Sequence, residues 1–93
     1  MARVAVDVCV GRKGINRLRE AAHEVVVEAL PCESDRDWFT RALIARAEVV
    51  ISTDRDISIL CYDHRVDFFR ARPGHSGWVT AERFIQRYAR RTT

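Results

Sequence analysis

The sequence predicts an α/β fold: a three-layer α/β/α arrangement around a mostly parallel sheet of four or five strands. Short, β-branched apolar runs recur along the chain at residues 3–10, 24–28, 48–52 and 66–69. Segments with apolar residues at helical spacing separate them, and alternation of this kind builds βαβ units. The runs are nearly continuous rather than alternating with polar residues, as expected of strands covered on both faces.

Residues 3–10 read as the first strand, with Val4, Ala5, Val6, Val8 and Val10 in close succession, and Gly11 and Gly14 break it. Ile15, Leu18, Ala21 and Ala22 then recur at helical spacing, with Arg12, Arg17 and Arg19 mostly off that stripe, and the helix ends near His23. The run EVVVE at 24–28 is the second strand. Pro31 fixes the loop after it, and Ser34 stands as an N-cap with Asp37 three residues on. The helix from 35 to about 47 turns Trp38, Phe39, Ala42, Leu43 and Ala45 inward. Residues 48–52 form the third strand, and 55–61 a short helix or turn with Ile57, Leu60 and Cys61 at helical spacing. Residues 66–69 form the fourth strand, and 70–77 a basic loop containing Pro73 and Gly74. Trp78 and Val79 are expected to add a short edge strand. Thr80 is expected to cap a last helix through about residue 91. Its apolar stripe is Ala81, Phe84, Ile85 and Tyr88, with Arg83, Arg87, Arg90 and Arg91 toward solvent.

The 93 residues suit one domain. No apolar run is long enough to cross a bilayer, and no signal peptide is expected, which places the chain in the cytoplasm with no membrane contact. Cys9, Cys32 and Cys61 lack any CxxC spacing and read as reduced, mostly buried thiols rather than zinc ligands. His23, His64 and His75 are scattered and read as surface or loop residues. Basic residues number 16 against 13 acidic, and all but Lys13 of the basic set are arginine. That balance permits nucleic-acid binding, for which Arg12, Lys13, Arg70 and Arg72 are the candidates. The arginine face of the last helix is a further candidate for an RNA backbone, although a solvated helix face is the more common explanation for such arginines.

The acids are more informative. Asp7 follows a run of valines, where an unpaired carboxylate is costly to bury. Asp54 and Asp56 come just after the third strand, and Asp35 opens the second long helix. If the first and third strands are parallel neighbours, these acids gather at one edge of the sheet, where such folds bind ligands. Carboxylates gathered there repel one another, and Mg²⁺ or Mn²⁺ is the compensation suited to oxygen ligands. Helix capping explains Asp54 and Asp56 as an alternative, a helix first turn explains Asp37, and Glu33 is a reserve ligand.

The set VAVDVCV, HEVVVEAL, SDRDWFTRALIARAEVVIS and STDRD resembles a minimal PIN-like domain, of the compact type related to the Mut7-C and DUF5615 groups, over nearly the whole chain. In that family an acid ends the first strand, a Ser-Asp pair opens the second long helix, and a Thr/Ser-x-Asp-x-Asp motif follows the third strand. Asp7, Asp35, Asp54 and Asp56 occupy those places, with Ser52 as the supporting hydroxyl. The resemblance implies a metal-dependent ribonuclease in which these four acids are catalytic and bind Mg²⁺ or Mn²⁺. It implies an RNA (or DNA) substrate, a role as a toxin with an antitoxin partner or in RNA processing, and pairing as a homodimer. Val8 and Cys9 stand where the family usually places a second acid or amide. The alternative is therefore a catalytically degenerate PIN-like module that binds nucleic acid or a protein partner. A receiver-type signalling domain also places acids on the first and third strands, but it needs a lysine late in the sheet, and Lys13 is the only lysine.

Overall fold

Four strands, Arg3–Val6 (β1), Glu24–Glu28 (β2), Val49–Ser52 (β3) and Asp67–Arg70 (β4), form one parallel sheet in the order β2-β1-β3-β4. Four helices alternate with them: Gly11–Glu20 (α1), Asp35–Ile44 (α2), Arg55–Asp63 (α3) and Gly77–Thr92 (α4). The computed structural model describes residues 1–92, and the side chains of residues 1–89. This is the predicted α/β class, with four of the four or five strands expected.

β1 leads outward to β2, whereas β2 leads back past β1 to β3 and then β4. With crossovers of one hand, that reversal sends α1 to one face and α2 and α3 to the other. Two core clusters record the division. Val4, Val6, Val49, Ile51 and Phe69 pack with Ile15 and Leu18 of α1 and Ala81 and Phe84 of α4. Ala5, Val27 and Val50 pack with Trp38, Phe39 and Ala42 of α2 and Ile57 and Cys61 of α3. Successive strand residues face opposite layers, so both layers need apolar side chains, and the central strands read as unbroken valine and isoleucine.

Several local expectations are corrected. The first strand stops at Val6, and Val8–Val10 form a 3₁₀ turn. Asp7 ends the strand because its carboxylate accepts the Val8 N–H at 2.7 Å while its carbonyl accepts the Val10 N–H at 3.1 Å. This local bonding competes with the ladder and overrides the strand preference of valine. Gly11, at φ +63°, caps the 3₁₀ turn and begins α1. Trp78 and Val79 lie in the first turn of α4 and add no strand. Ser76 rather than Thr80 caps that helix, accepting the Val79 N–H on its hydroxyl at 3.1 Å, and Thr80 is buried.

His23 is buried rather than on the surface. Its Nδ1 accepts the Ala2 N–H at 3.1 Å, its ring packs edge-on against Phe84 and Tyr88, and burial, then the N-terminal charge, hold its pKa down. Of the three cysteines, Cys61 is buried, Cys9 is half-buried in the 3₁₀ turn, and Cys32 is exposed. Burial, then the charge of Asp67, pushes the Cys61 thiol up to about 12. Arg83 is half-buried over the Phe69 ring rather than free in solvent. Arg90 and Arg91 lie outside the described side chains.

The start of α4 is pressed against the turn that follows β1. A Cβ on Gly77 would lie 1.6 Å from the Val10 carbonyl oxygen, and one on Gly14 would lie 2.6 Å from the Gly77 carbonyl oxygen. An ion pair between Arg17 of α1 and Glu82 of α4 closes the same helix pair. Only glycine permits this backbone approach. Gly77→Ala is expected to cost roughly 3 kcal/mol or more in urea denaturation, because backbone rather than a side-chain tip must move. A loss under about 1 kcal/mol would show that this contact does not set the packing of α4.

Candidate metal centre at the carboxyl edge of the sheet

β1 and β3 are parallel neighbours with Val6 opposite Ile51, and the Asp7 N–H continues the ladder by donating to the Ile51 carbonyl at 2.9 Å. Strand order reverses at this pair, so a crevice opens beyond the carboxyl ends of the two strands. In a parallel βα sheet every helix also starts at this edge, so its N-terminus brings free N–H groups and positive potential there.

The residues are placed by cap chemistry. Ser34 accepts the Asp37 N–H at 3.2 Å as the N-cap of α2, which makes Asp35 the first helical residue, half-buried beside Trp38. Asp54 is the N-cap of α3, its Oδ1 accepting the Asp56 N–H at 2.8 Å. The capping role and membership of the acid cluster coexist, because one carboxylate oxygen serves the helix and the other remains available. Ser52 is fully buried and ties the two strands' chemistry together. Its hydroxyl donates to Asp7 Oδ2 at 2.6 Å and accepts the Asp54 N–H at 3.0 Å.

Asp35, Asp54 and Asp56 each offer a carboxylate oxygen such that all three oxygens lie within 4.8 Å of one another. Asp7 is not one of this trio. Its two oxygens accept from Val8 N–H and the Ser52 hydroxyl, and it stands beside the trio, near enough for its charge to act on Asp35. Burial first, then a hydrogen bond with the Asp54 carboxyl and the charges of Asp54 and Asp7, raise the Asp35 pKa above the ordinary 3.8, against a smaller lowering by the Trp38 hydrogen bond. Burial, then the Asp7 charge, likewise raises the Cys9 thiol. Glu33 takes no part in the cluster. It receives the Arg41 guanidinium, with Nε at 2.7 Å, and that bond holds its carboxyl low.

The basic candidates also fall at this edge by element order. Arg12 and Lys13 are exposed in the first turn of α1, with Arg12 reaching Glu28 at 3.3 Å. Arg70 ends β4 opposite Ser52, and Arg72 follows, both exposed. Asp35 and Trp38, which their i, i+3 spacing puts on one helix face, meet in a hydrogen bond.

Comparison of the chain with protein-family models, curated proteins and solved structures found no match.

Two outcomes are expected from this geometry. Ser52→Ala leaves the Asp7 and Asp54 ends of the bridge unsupported and should cost about 1–3 kcal/mol, read by urea denaturation. An acid whose pKa is raised by folding contributes stability that is complete below its unfolded value and disappears as pH rises through the folded value. Wild-type stability should therefore lose an Asp35 contribution as pH climbs above 3.8. Asp35→Asn should lack that component in a pH series, and identical profiles for the two proteins would remove the repulsion from the account of this site.

Proposed function

We propose that the chain is a Mg²⁺- or Mn²⁺-dependent ribonuclease of PIN-like type. The observation that most supports this is the convergence of three carboxylates at the strand-order reversal, with a fourth held beside them by a buried serine. The donor set fits the metal: carboxylate oxygens only, which suit a hard cation. Burial first, then the neighbouring carboxylates, raise the Asp35 pKa, and a cation would offset both.

In this reading Asp35, Asp54 and Asp56 hold the cation. A bound divalent ion there supplies Lewis-acid chemistry, lowering the pKa of water and offsetting charge on a phosphodiester. Asp7, kept in register by Ser52 and the Val8 N–H, accepts the proton of the attacking water. Water adds to phosphorus, the P–O bond to the leaving nucleoside breaks, and the departing oxygen takes a proton from solvent. Arg12, Lys13, Arg70 and Arg72 neutralise the backbone on either side. RNA is named as substrate on the family resemblance. A cytoplasmic setting is supported by three free cysteines, and no helix among the described residues is long and apolar enough to cross a membrane.

One observation favours a second reading, a module that binds metal and nucleic acid without cutting. Each Asp7 oxygen already accepts a hydrogen bond, and the exposed Val8 beside it offers no further polar group.

Mn²⁺ titration by calorimetry and cleavage of single-stranded RNA separate the readings. Asp54→Asn should lose metal affinity by about 10-fold or more, and Asp7→Asn should retain metal but cut about 10²–10⁴-fold more slowly. Metal binding without wild-type cleavage selects the second reading, and neither binding nor cleavage ends both.

A further inference from the structure

Among the described residues, one buried side-chain polar atom has no hydrogen-bond partner: Nη1 of Arg83. It belongs to a cluster. The guanidinium carbons of Arg83 and Arg87 lie 5.3 and 5.1 Å from the centroid of one ring, Phe69. Arg72 is the third member. Burial first, then the charges of Arg72 and Arg87, press the Arg83 pKa down. None of the three makes an ion pair among the described residues, although six other ion pairs are formed.

Phe69 accounts for part of this arrangement, since its π face attracts a cation. It cannot accept the five N–H donors that each guanidinium presents. Two guanidinium groups over one apolar ring, one of them with a dry donor, and a third whose charge reaches Arg83 leave N–H donors free for an anion, although Asp67 lines the same cavity as Phe69 and Arg87. A phosphate, with more acceptor oxygens than a carboxylate, can satisfy more than one guanidinium at once. The place also matters. The cluster lies where α4 crosses edge strand β4, and the same strand carries Arg70 opposite Ser52, with the Ala71 N–H donating to the Ser52 carbonyl at 3.0 Å. Arg72 follows Ala71, so Arg70 and Arg72 stand close together at the carboxyl end of the strand that carries Phe69.

We propose that Arg72, Arg83 and Arg87 form a phosphate-binding cleft over Phe69 that holds the sugar–phosphate backbone of a single-stranded nucleic acid leading to the acid centre. The substrate class rests on the nuclease reading; the binding is tested apart from it.

The measurement is fluorescence anisotropy of a labelled 12-nucleotide single-stranded RNA in EDTA, repeated across a salt series. Arg72→Gln, Arg83→Gln and Arg87→Gln should each weaken binding about 5- to 10-fold and reduce the log–log salt slope by about 0.7, the loss of one phosphate contact. Arg46→Gln, an exposed arginine between α2 and β3, should change neither. Inorganic phosphate should also raise the melting temperature of wild type above that in sodium chloride of equal ionic strength, and Arg72→Gln should abolish the difference. Arg72 lies in a loop, so its variant reads binding even if Arg83→Gln loosens α4. Slopes that match Arg46→Gln would overturn the cleft. Displacement of RNA by polyglutamate but not by phosphate would also overturn it, in favour of an acidic protein partner. Because binding is read in EDTA, absence of Mn²⁺-dependent cleavage bears on the nuclease reading and leaves this result standing.

Discussion

The parallel pairing of β1 with β3 is the constraint on which the rest of the structure depends. It sets Val6 opposite Ile51, which brings the residue after each strand partner to the same edge and lets Ser52 reach Asp7 at 2.6 Å. A shift of one residue would exchange the layers that Val4, Val6, Val49 and Ile51 serve with those that Ala5 and Val50 serve. The large side chains facing α1 and α4 do not fit where Trp38 already fills the opposite layer. Core packing thereby specifies the register, and the register positions the acids.

Charge is distributed by the same topology. Helices that start at the carboxyl edge present N–H groups there, which favours acids at their first turns. Asp35 and Asp54 exploit this as a first-turn residue and a cap, yet their proximity still raises the Asp35 pKa. Burial and that repulsion together outweigh the benefit of the helix end at Asp35. Arg83 experiences the converse, its pKa lowered first by burial and then by neighbouring arginines. The acids thus gather at the carboxyl edge of the sheet, whereas Arg87 lines a cavity with Val49 and Asp67 at the strands' amino ends.

The order and type of the four βα units were legible because apolar periodicity survives in this chain with few interruptions. The candidate acids were legible for a related reason: Asp7 and the Asp54–Asp56 pair sit where apolar strands end. Errors cluster where local hydrogen bonding competes with propensity. Val8 and Val10 have strand-forming side chains, but the Asp7 carboxylate bends the chain into a turn. Trp78 and Val79 have the same bias, and the Ser76 hydroxyl begins a helix over them.

By itself the sequence determined the α/β class, the four strands, the helices between them and the acids near the strand ends, because these depend on residue type and spacing along one chain. Only the tertiary structure decided which acids meet, placing Asp35, Asp54 and Asp56 together and Asp7 beside them through Ser52. It alone turned Arg83 from a residue on a polar helix face into one stacked on Phe69 beside two other arginines. The physical reason is common to both. A side chain's charge is encoded locally, but its dielectric surroundings and neighbours are set by strand order, and strand order is settled by how two faces of one sheet are filled.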